Sequence, residues 1–597
     1  MINYIQLLAL FTIIKLKQII KNENNIYCKG AKLKMEQEYV EFFQWLFDKE
    51  NIEIKKEIDV SSCLEKEEPY IYYTKEIKDF FNTKAMKRLE NIGQLANASL
   101  DNPNAQHTRL EHCKGAYQKM LEFYMIQYKK SEWKETHSDE QSRLKVLADI
   151  MDMASHDIGH NVCSHALEKL IGTITGAHEI LGNRILHENQ EVVQAIKNIH
   201  PELLKTLDKV KEKNYGLKTL KEGNIDFDRA DFLVRDSIYL GVETGFNNKK
   251  ENTKTVSELI DKLVNNCEIY KIKFNGRDVE IPVFSYEVEL EIGEFLARRS
   301  ENYEHIYRSI DNKPKDILLE EFCRVIIESD DIDNELKTFL THISETPIDE
   351  IDLDEFLAWD DIRFYNSVFD IIENSENEEL KMLAKNCLPN RESLVNVVYQ
   401  RLMPKITPKI DENGHEINIE DEFESKEDRK FYLKVKRLVK DEKYYSEFIQ
   451  NKNLKNSVMS VYFETSLELA EFLEQLENNF GIKKETIKEL KVCECKIKKY
   501  NKDEPIFIRG KDGKIYTFDE YPERTLELNT REYYGIVGIT SEMALKGINE
   551  SEIEKCRSAF EYISSIKHNI DDLESKSTRL TSELHDIALK KSIQYER

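Results

Sequence analysis

The chain has 597 residues and a mass of 70.4 kDa, beyond the ~250–300 residues at which a single hydrophobic core stops growing, so about two to four structural units are expected. Hydrophobic residues make up 40% and aromatics 10%, with only 20 Gly and 11 Pro, which excludes wholesale disorder and collagen-like or low-complexity architectures. The net charge is −25 and the pI near 5.2; the bulk field repels nucleic acid, and any bound polyanion must meet a local basic pocket.

Ile2 to Ile14 is largely apolar, but a membrane span needs about 20 such residues. No basic run precedes it and no small-residue cleavage site follows, so neither an anchor nor a secretory signal is expected. Residues 1–34 read as a peripheral helix or as the product of a start codon assigned too early, with Met35 the alternative start. No other segment is apolar enough to span a membrane.

From Met35 to Leu144 apolar residues recur three and four apart, as in Tyr39, Phe42, Phe43, Leu46 and Phe47, and predict helices. The loop Asp101-Asn-Pro-Asn104 interrupts them. Leu144 to Met153 reads as a buried helix running into Ser155-His-Asp-Ile-Gly-His160, with Gly159 as its terminator. A charged connector follows from Asp208 to Glu222, and a further helix from Asp226. Asn247 to Pro282 holds a Lys/Asn-rich insertion and a hairpin around Phe274-Asn-Gly-Arg277. Helices are expected again from Glu287 to about Lys405, broken by the acidic stretch Asp330 to Asp354. Asp411 to Asp428 reads as a loop. Val492 to Leu528 reads as strands, with Lys511-Asp-Gly-Lys514 turning between Ile506-Phe-Ile508 and Ile515-Tyr-Thr-Phe518. The last 30 residues read as a polar helix. No internal repeat is present.

Ten cysteines occur without a CxxC pair, as expected for reduced thiols in a cytoplasmic protein. Cys493 and Cys495 read as alternate positions of one strand.

Histidine is distributed unevenly. Eight of the 14 (107, 112, 137, 156, 160, 165, 178, 187) fall between residues 107 and 187, and such crowding among apolar helices points to metal or proton chemistry. The pair His156-Asp157 is the sharpest feature, because an imidazole and a carboxylate carried inward together can share one divalent cation. A second pair, Leu584-His-Asp586, lacks histidine company and reads as a solvated helix face.

Upstream of the first pair lies His107-Thr-Arg-Leu-Glu-His112. Downstream lies Asn224-Ile-Asp-Phe-Asp-Arg-Ala-Asp-Phe-Leu-Val-Arg-Asp236. This order, from about Lys87 to Arg308, resembles the HD-domain phosphohydrolase superfamily, and within it the deoxynucleoside triphosphate triphosphohydrolases: bacterial dGTPases and the mammalian enzyme that joins a sterile-alpha-motif domain to an HD domain. The resemblance implies metal ligands at His112, His156, Asp157 and Asp228, the last chosen over Asp226 by the motif that follows it. Such a set suits Mn, Mg, Fe, Zn or Ni, one ion per chain. It implies His160, His165, Glu168 and His178 as the proton-transfer and phosphate-lining set, the acid among the three histidines being left open. For the substrate it implies Arg109, Arg229 and Arg299 at the phosphates, and Gln94, Leu95, Asp236 and Tyr307 at the sugar.

Phe232 stands where the mammalian enzyme has a phosphate-contacting tyrosine, and Asn161-Val-Cys163 replaces the usual Gly/Pro-Pro-Phe. No sterile-alpha-motif domain is recognisable.

Residue patterning beyond the matched range gives a helical extension over 331–460, a smaller α+β C-terminal region over 461–565 and a C-terminal helix over 566–597, so the fold expected is mainly α, with an HD-domain helical core over 35–330 taken from the resemblance. The resemblance implies a hydrolase that cuts a dNTP, dGTP among the candidates, to deoxynucleoside and tripolyphosphate. A homo-oligomer and a nucleotide effector go with it, and neither a membrane nor nucleic acid as main substrate. Two other readings stand beside it: an HD phosphodiesterase or phosphohydrolase acting on cyclic or alarmone nucleotides, and a non-catalytic nucleotide-sensing scaffold.

Overall fold

The computed structural model describes residues 26–59, 70–96, 104–171, 176–211, 223–240, 256–274, 277–307, 313–329, 332, 334–388, 395–404, 490–498, 500, 505–525 and 532–541. The expected loops at 101–103 and 411–428 and the expected C-terminal helix lie outside these residues.

The fold is mainly helical, with small sheets. The first helix, α1 (Ile26–Phe47), runs continuously through residue 35 and buries Tyr39, Phe42, Phe43 and Leu46, the i, i+3, i+4, i+7 stripe that its periodicity predicts. The hairpin β1 (Ile54–Ile58) and β2 (Tyr70–Thr74) follows, and Tyr72 of β2 stacks on Tyr39 at 3.8 Å between ring centroids.

Three helices form the centre. The helix α2 (Arg109–Tyr128) opens with a complete capping box, Thr108 and Glu111 each accepting from the other's backbone N–H. It packs against both α3 (Glu140–Ser155) and α5 (Phe227–Leu240), with α4 (Ala177–Glu188) lying between those two in sequence. Every residue of α3 from Val146 to Ser155 is buried, because that helix is covered on all sides. Close approach is secured by glycine: a Cβ at Gly115 of α2 would lie 2.1 Å from Asp231 Oδ1 of α5.

The expected hairpin around Phe274 is present as β3 (Cys267–Phe274) and β4 (Arg277–Ser285), paired antiparallel with Phe274 opposite Arg277. After it come α6 (Glu289–Asn302), α7 (Lys313–Glu328) and, beyond shorter helices, α8 (Asp361–Asn374). The segment 395–404, expected to continue the helices, is instead β5 (Val395–Pro404); Val395, Val397, Val398 and Tyr399 are strand-forming residue types. It joins β6 (Leu490–Lys498) and β9 (Glu532–Ser541) in a sheet of order β5-β9-β6. Cys493 and Cys495 are alternate residues of β6, as read from sequence.

The turn at Lys511–Lys514 joins β7 (Phe507–Arg509) to β8 (Ile515–Thr517), with Gly513 at φ +81°, a conformation that costs glycine little. The hairpin does not stand apart from the core. Strand β7 pairs parallel with β4, Val283 opposite Phe507, and covers a sheet edge that would otherwise expose backbone donors. Ile506, Ile508, Phe518 and Tyr521 belong to the same buried cluster as Phe284 and Val288. Among the described residues no helix is long and apolar enough to cross a membrane.

Candidate active site

The donors expected to hold a metal come from the ends of the three central helices. His112 sits one turn into α2, His156 and Asp157 follow the last turn of α3, and Asp228 lies in the first turn of α5. Helix α3 ends at Ser155 rather than at Gly159. His156 caps it and its Nδ1 donates to the Met153 carbonyl at 2.7 Å, after which turns from Ser155 to Ile158 and from Asp157 to His160 tighten the chain. Gly159 is needed for proximity instead, since a Cβ there would lie 2.1 Å from the His178 carbonyl oxygen of α4.

The four side chains converge. His112 Nε2 lies 3.1 Å from His156 Nε2 and 2.9 Å from Asp228 Oδ1, and Asp228 Oδ1 lies 3.4 Å from His156 Nε2. Asp157 completes the set, Oδ1 at 3.4 Å from His156 Nε2 and Oδ2 at 3.9 Å from His112 Nε2. Ligands about 2.1 Å from one ion and at right angles lie about 3.0 Å apart, so these spacings fit a single small cation.

The tautomers fit as well. His112 Nδ1 is 2.9 Å from the Asp231 carboxylate, and an imidazole meets a carboxylate only by donating. His156 Nδ1 is spent on a carbonyl. Both Nε2 lone pairs therefore face each other, which is repulsive unless a cation lies between them. Without the ion, protons take its place: burial opposes charge on His112, but the Asp228 and Asp231 carboxylates outweigh it and raise its pKa to about 10. Burial likewise works against charge on Asp228, and the two imidazoles hold it well below the usual carboxylate range.

Asp231 escaped the sequence reading. It is buried, with Oδ2 accepting from Arg235 Nε at 2.9 Å as well as from His112, and Oδ1 accepting from Lys119 Nζ at 3.1 Å. The only sequence signal is the Asp231/Arg235 spacing of four, one turn behind Asp228.

Beside this centre lies a second cluster. Glu168 accepts from both His178 Nδ1, at 2.6 Å, and His165 Nδ1, at 2.9 Å. Burial would raise the Glu168 pKa, but these two bonds hold it well below its ordinary value. His160 stacks on His178 with centroids 4.3 Å apart and planes 9° from parallel. Burial and then the Arg109 charge keep His160 well below the usual histidine pKa, hence neutral. The ring nitrogens of His160, His165 and His178 come within 4.8 Å of one another. That is looser than the first set, and parallel rings aim their lone pairs side by side rather than at one point, an arrangement for passing protons.

Both clusters border a cavity of about 460 Å³, within the size range of nucleotide-sized sites. Gln94, Leu95, Arg109, His156, Asp157, His160, His165, His178, Asp228, Arg229, Phe232, Asp236 and Tyr307 line it. His112 and Glu168 stand behind the wall. Arg299 is not on the wall. Its Nη1 donates to the Asn224 carbonyl and side chain at 3.2 Å, and its guanidinium lies 5.6 Å from the Tyr303 ring centroid, so it fixes the loop ahead of α5. Arg109 donates from Nη1 to Asp157 Oδ2 at 2.6 Å, and Arg229 pairs with Asp226. The wall carries Asp157, Glu179, Asp228, Asp236 and Asp316 against Arg109 and Arg229, so it draws cations before it admits a polyanion.

At the far side the buried Asp236 accepts from Tyr307 Oη and stands 2.7 Å from His107 Nε2. Tyr307 ends a π-helical turn over Tyr303–Tyr307, an insertion frequent at functional sites. Phe232 stands edge-on to both His112 and Tyr307, filling with carbon the place where a hydroxyl was missing from the sequence. His107 is given no role by the sequence beyond its place in the histidine-rich stretch and at the head of the His107–His112 motif.

No family model matches the chain. Over 173 residues it is 31% identical to YwfO, an uncharacterized protein of Bacillus subtilis, covering 28% of this chain and 37% of that one. Over 210 residues it is 26% identical to a deoxynucleoside triphosphate triphosphohydrolase SAMHD1 homolog of Dictyostelium discoideum, covering 33% and 40%. Over 196 residues it is 27% identical to an HD domain-containing protein, L394, of Acanthamoeba polyphaga mimivirus, covering 30% and 43%. The chain thus spans less than half the length of these three relatives. In fold it is similar to a crystal structure of a phosphohydrolase from Bacteroides thetaiotaomicron, at TM-score 0.51 and 18% identity over 81% of this chain and all of that one.

Proposed function

From the premise that the chain belongs to the HD-domain phosphohydrolase superfamily, we propose that it is a metal-dependent deoxynucleoside triphosphate triphosphohydrolase, releasing deoxynucleoside and tripolyphosphate. The observation that carries this reading is the convergence of His112, His156 and Asp228, with Asp157 alongside, next to a Glu168-anchored pair of imidazoles, at a cavity of nucleotide size. When bound there, a divalent ion would supply Lewis acidity toward a phosphate oxygen and a water of lowered pKa.

The chain's own residues do the rest. Asp231 and the Met153 carbonyl hold the two imidazoles in the tautomer that leaves Nε2 unprotonated. Glu168 keeps a proton on Nδ1 of His165 and His178, so that Nε2 of either ring can take a proton from an attacking water or give one to the departing 5′-oxygen. Arg109, locked on Asp157, sets the angle of that carboxylate. Asp236, with Tyr307 and His107 fixing its oxygens, is placed to accept from a sugar hydroxyl, and Gln94 and Leu95 form the facing wall. The SAMHD1-homolog similarity favours a deoxynucleotide over a cyclic or alarmone nucleotide.

The test is an end-point assay. Purified protein is incubated with each dNTP and rNTP, singly and mixed, with Mn or Mg, and nucleosides are resolved from phosphates. Deoxynucleoside plus tripolyphosphate is the expected result, and turnover that requires a mixture would reveal a nucleotide effector. Cleavage of cyclic or alarmone nucleotides instead, with every dNTP intact, would overturn the substrate class. No cleavage of any of them and no bound metal would leave the scaffold.

A further inference from the structure

Asp361, at the start of α8, lies 198 residues from Cys163 and 268 from Gly93 in sequence, yet its carboxylate accepts from both backbone amides. Oδ1 takes Cys163 N–H at 2.7 Å, and Oδ2 takes Gly93 N–H at 3.0 Å. Cys163 and Ser164 sit at φ 55° and 51°, two successive non-glycine residues in the left-handed region, a strained conformation that persists only where the surroundings impose it. Gly93 precedes Gln94 and Leu95, which line the cavity.

The two segments meet at Ser164. Its Oγ donates to the Gly93 carbonyl at 2.8 Å and accepts from Arg109 Nε at 3.0 Å, and the same guanidinium binds Asp157 Oδ2 at 2.6 Å. A continuous path therefore runs from Asp361 through the strained turn and Arg109 to the carboxylate of the His-Asp pair. Arg88 braces it from below, donating to the carbonyls of Trp359 and His160 at 2.6 and 2.7 Å.

We propose that Asp361 is a positioning residue for the catalytic pocket: by clamping the amides of Gly93 and Cys163 it fixes the wall carrying Gln94, Leu95 and Arg109. The pocket is thus completed by a helix that lies outside the histidine-bearing region. This inference rests on the reading of that pocket as catalytic. Burial raises the Asp361 pKa to about 6 against the opposing amide bonds and Arg88.

Asp361→Asn keeps the shape but leaves one acceptor for two N–H groups. With an equimolar mixture of the four dNTPs and Mn, kcat/KM is expected to fall at least about tenfold, with metal per chain unchanged. Asp360→Ala supplies the structural contrast, since Asp360 caps α8 through Arg363 N at 2.9 Å and accepts from Asn91 at 2.8 Å. It should lower Tm by several degrees and leave kcat/KM of the folded protein unchanged. Equal losses of kcat/KM in both variants, or none in Asp361→Asn, would overturn the positioning role. Should the wild type cleave no dNTP, the functional reading fails on its own. Amide exchange then judges the clamp: faster exchange at Gly93 and Cys163 in Asp361→Asn, with α2 amides unaffected, supports it, and unchanged exchange refutes it.

Discussion

The two corners of the cavity are built differently. The His112/His156/Asp157/Asp228 corner hangs on the ends of three buried helices, and both its imidazoles have a second bond to a fixed partner, Asp231 or the Met153 carbonyl. The His160/His165/Glu168/His178 corner hangs on the turn after α3, a short 3-10 segment, Ser164–Leu170, and the first turn of α4. Its His165 side chain is 60% exposed, whereas that of His112 is 1%. The first corner is set before any ligand arrives. The second has one anchor, Glu168, shared by two rings, and so has freedom to follow a proton. The difference teaches that holding an ion calls for convergence fixed by core packing, while proton transfer calls for a fixed tautomer and a movable ring.

The largest effects should come from the rigid corner. His156→Ala removes one of two facing lone pairs, and the expected result is loss of bound metal by elemental analysis together with a fall in turnover of about 10³-fold or more. His178→Ala should separate the corners: metal content stays at the wild-type level, while turnover drops about 10²–10⁴-fold, the range of general acid–base catalysis. If His178→Ala also emptied the metal site, the two corners would be one unit and the comparison would break.

Asp231→Asn sharpens it further. The amide cannot accept from His112 Nδ1 and from Arg235 and Lys119 as the carboxylate does. Metal affinity measured by competition with a chelator should weaken about 10–100-fold, the usual consequence of losing such a partner. Turnover at saturating metal should recover most of the wild-type rate.

How much of this was legible follows from distance along the chain. The metal donors, the Glu168 cluster and the helices that carry them lie in four motifs whose order and residue types are visible, so the mainly α fold is legible there and the motifs name the residues that the fold brings near one another. Arg299 is not on the cavity wall, and an Arg-Arg pair on a helix gives no hint of which face meets Asn224. Gly159 was taken for a helix terminator because a glycine after an apolar run has that meaning locally; its close contact with the His178 carbonyl is tertiary. Asp361 and Ser164 had no signal at all. Their roles arise from backbone amides about 200 residues away and from a positive φ, neither of which leaves a mark in residue type. The strand at Val395–Pro404 was lost among helices for a related reason, since its partner β9 lies more than 100 residues further on.

The smallest effect contrasts two carboxylates of one chain segment. Asp157, just past the end of α3, is held charged: burial opposes this, but His156, Arg109 and His160 keep its pKa well below normal. Asp149, two turns earlier, is buried too, and burial there prevails over its bond from Tyr124 Oη at 2.6 Å and the Lys145 charge, raising its pKa to about 7. A carboxyl whose folded pKa lies above its unfolded value near 3.8 contributes stability that is fully present below about pH 4 and is lost as pH rises through about 7. Asp149→Asn retains an acceptor for Tyr124 and has no charge to bury. It should match the wild type in Tm near pH 4–5, exceed it by a few degrees near pH 8–9, and turn over substrate at the wild-type rate. A wild-type advantage at pH 8 would mean that Asp149 is charged and paired as Asp157 is, so that burial alone does not separate the two ends of this helix.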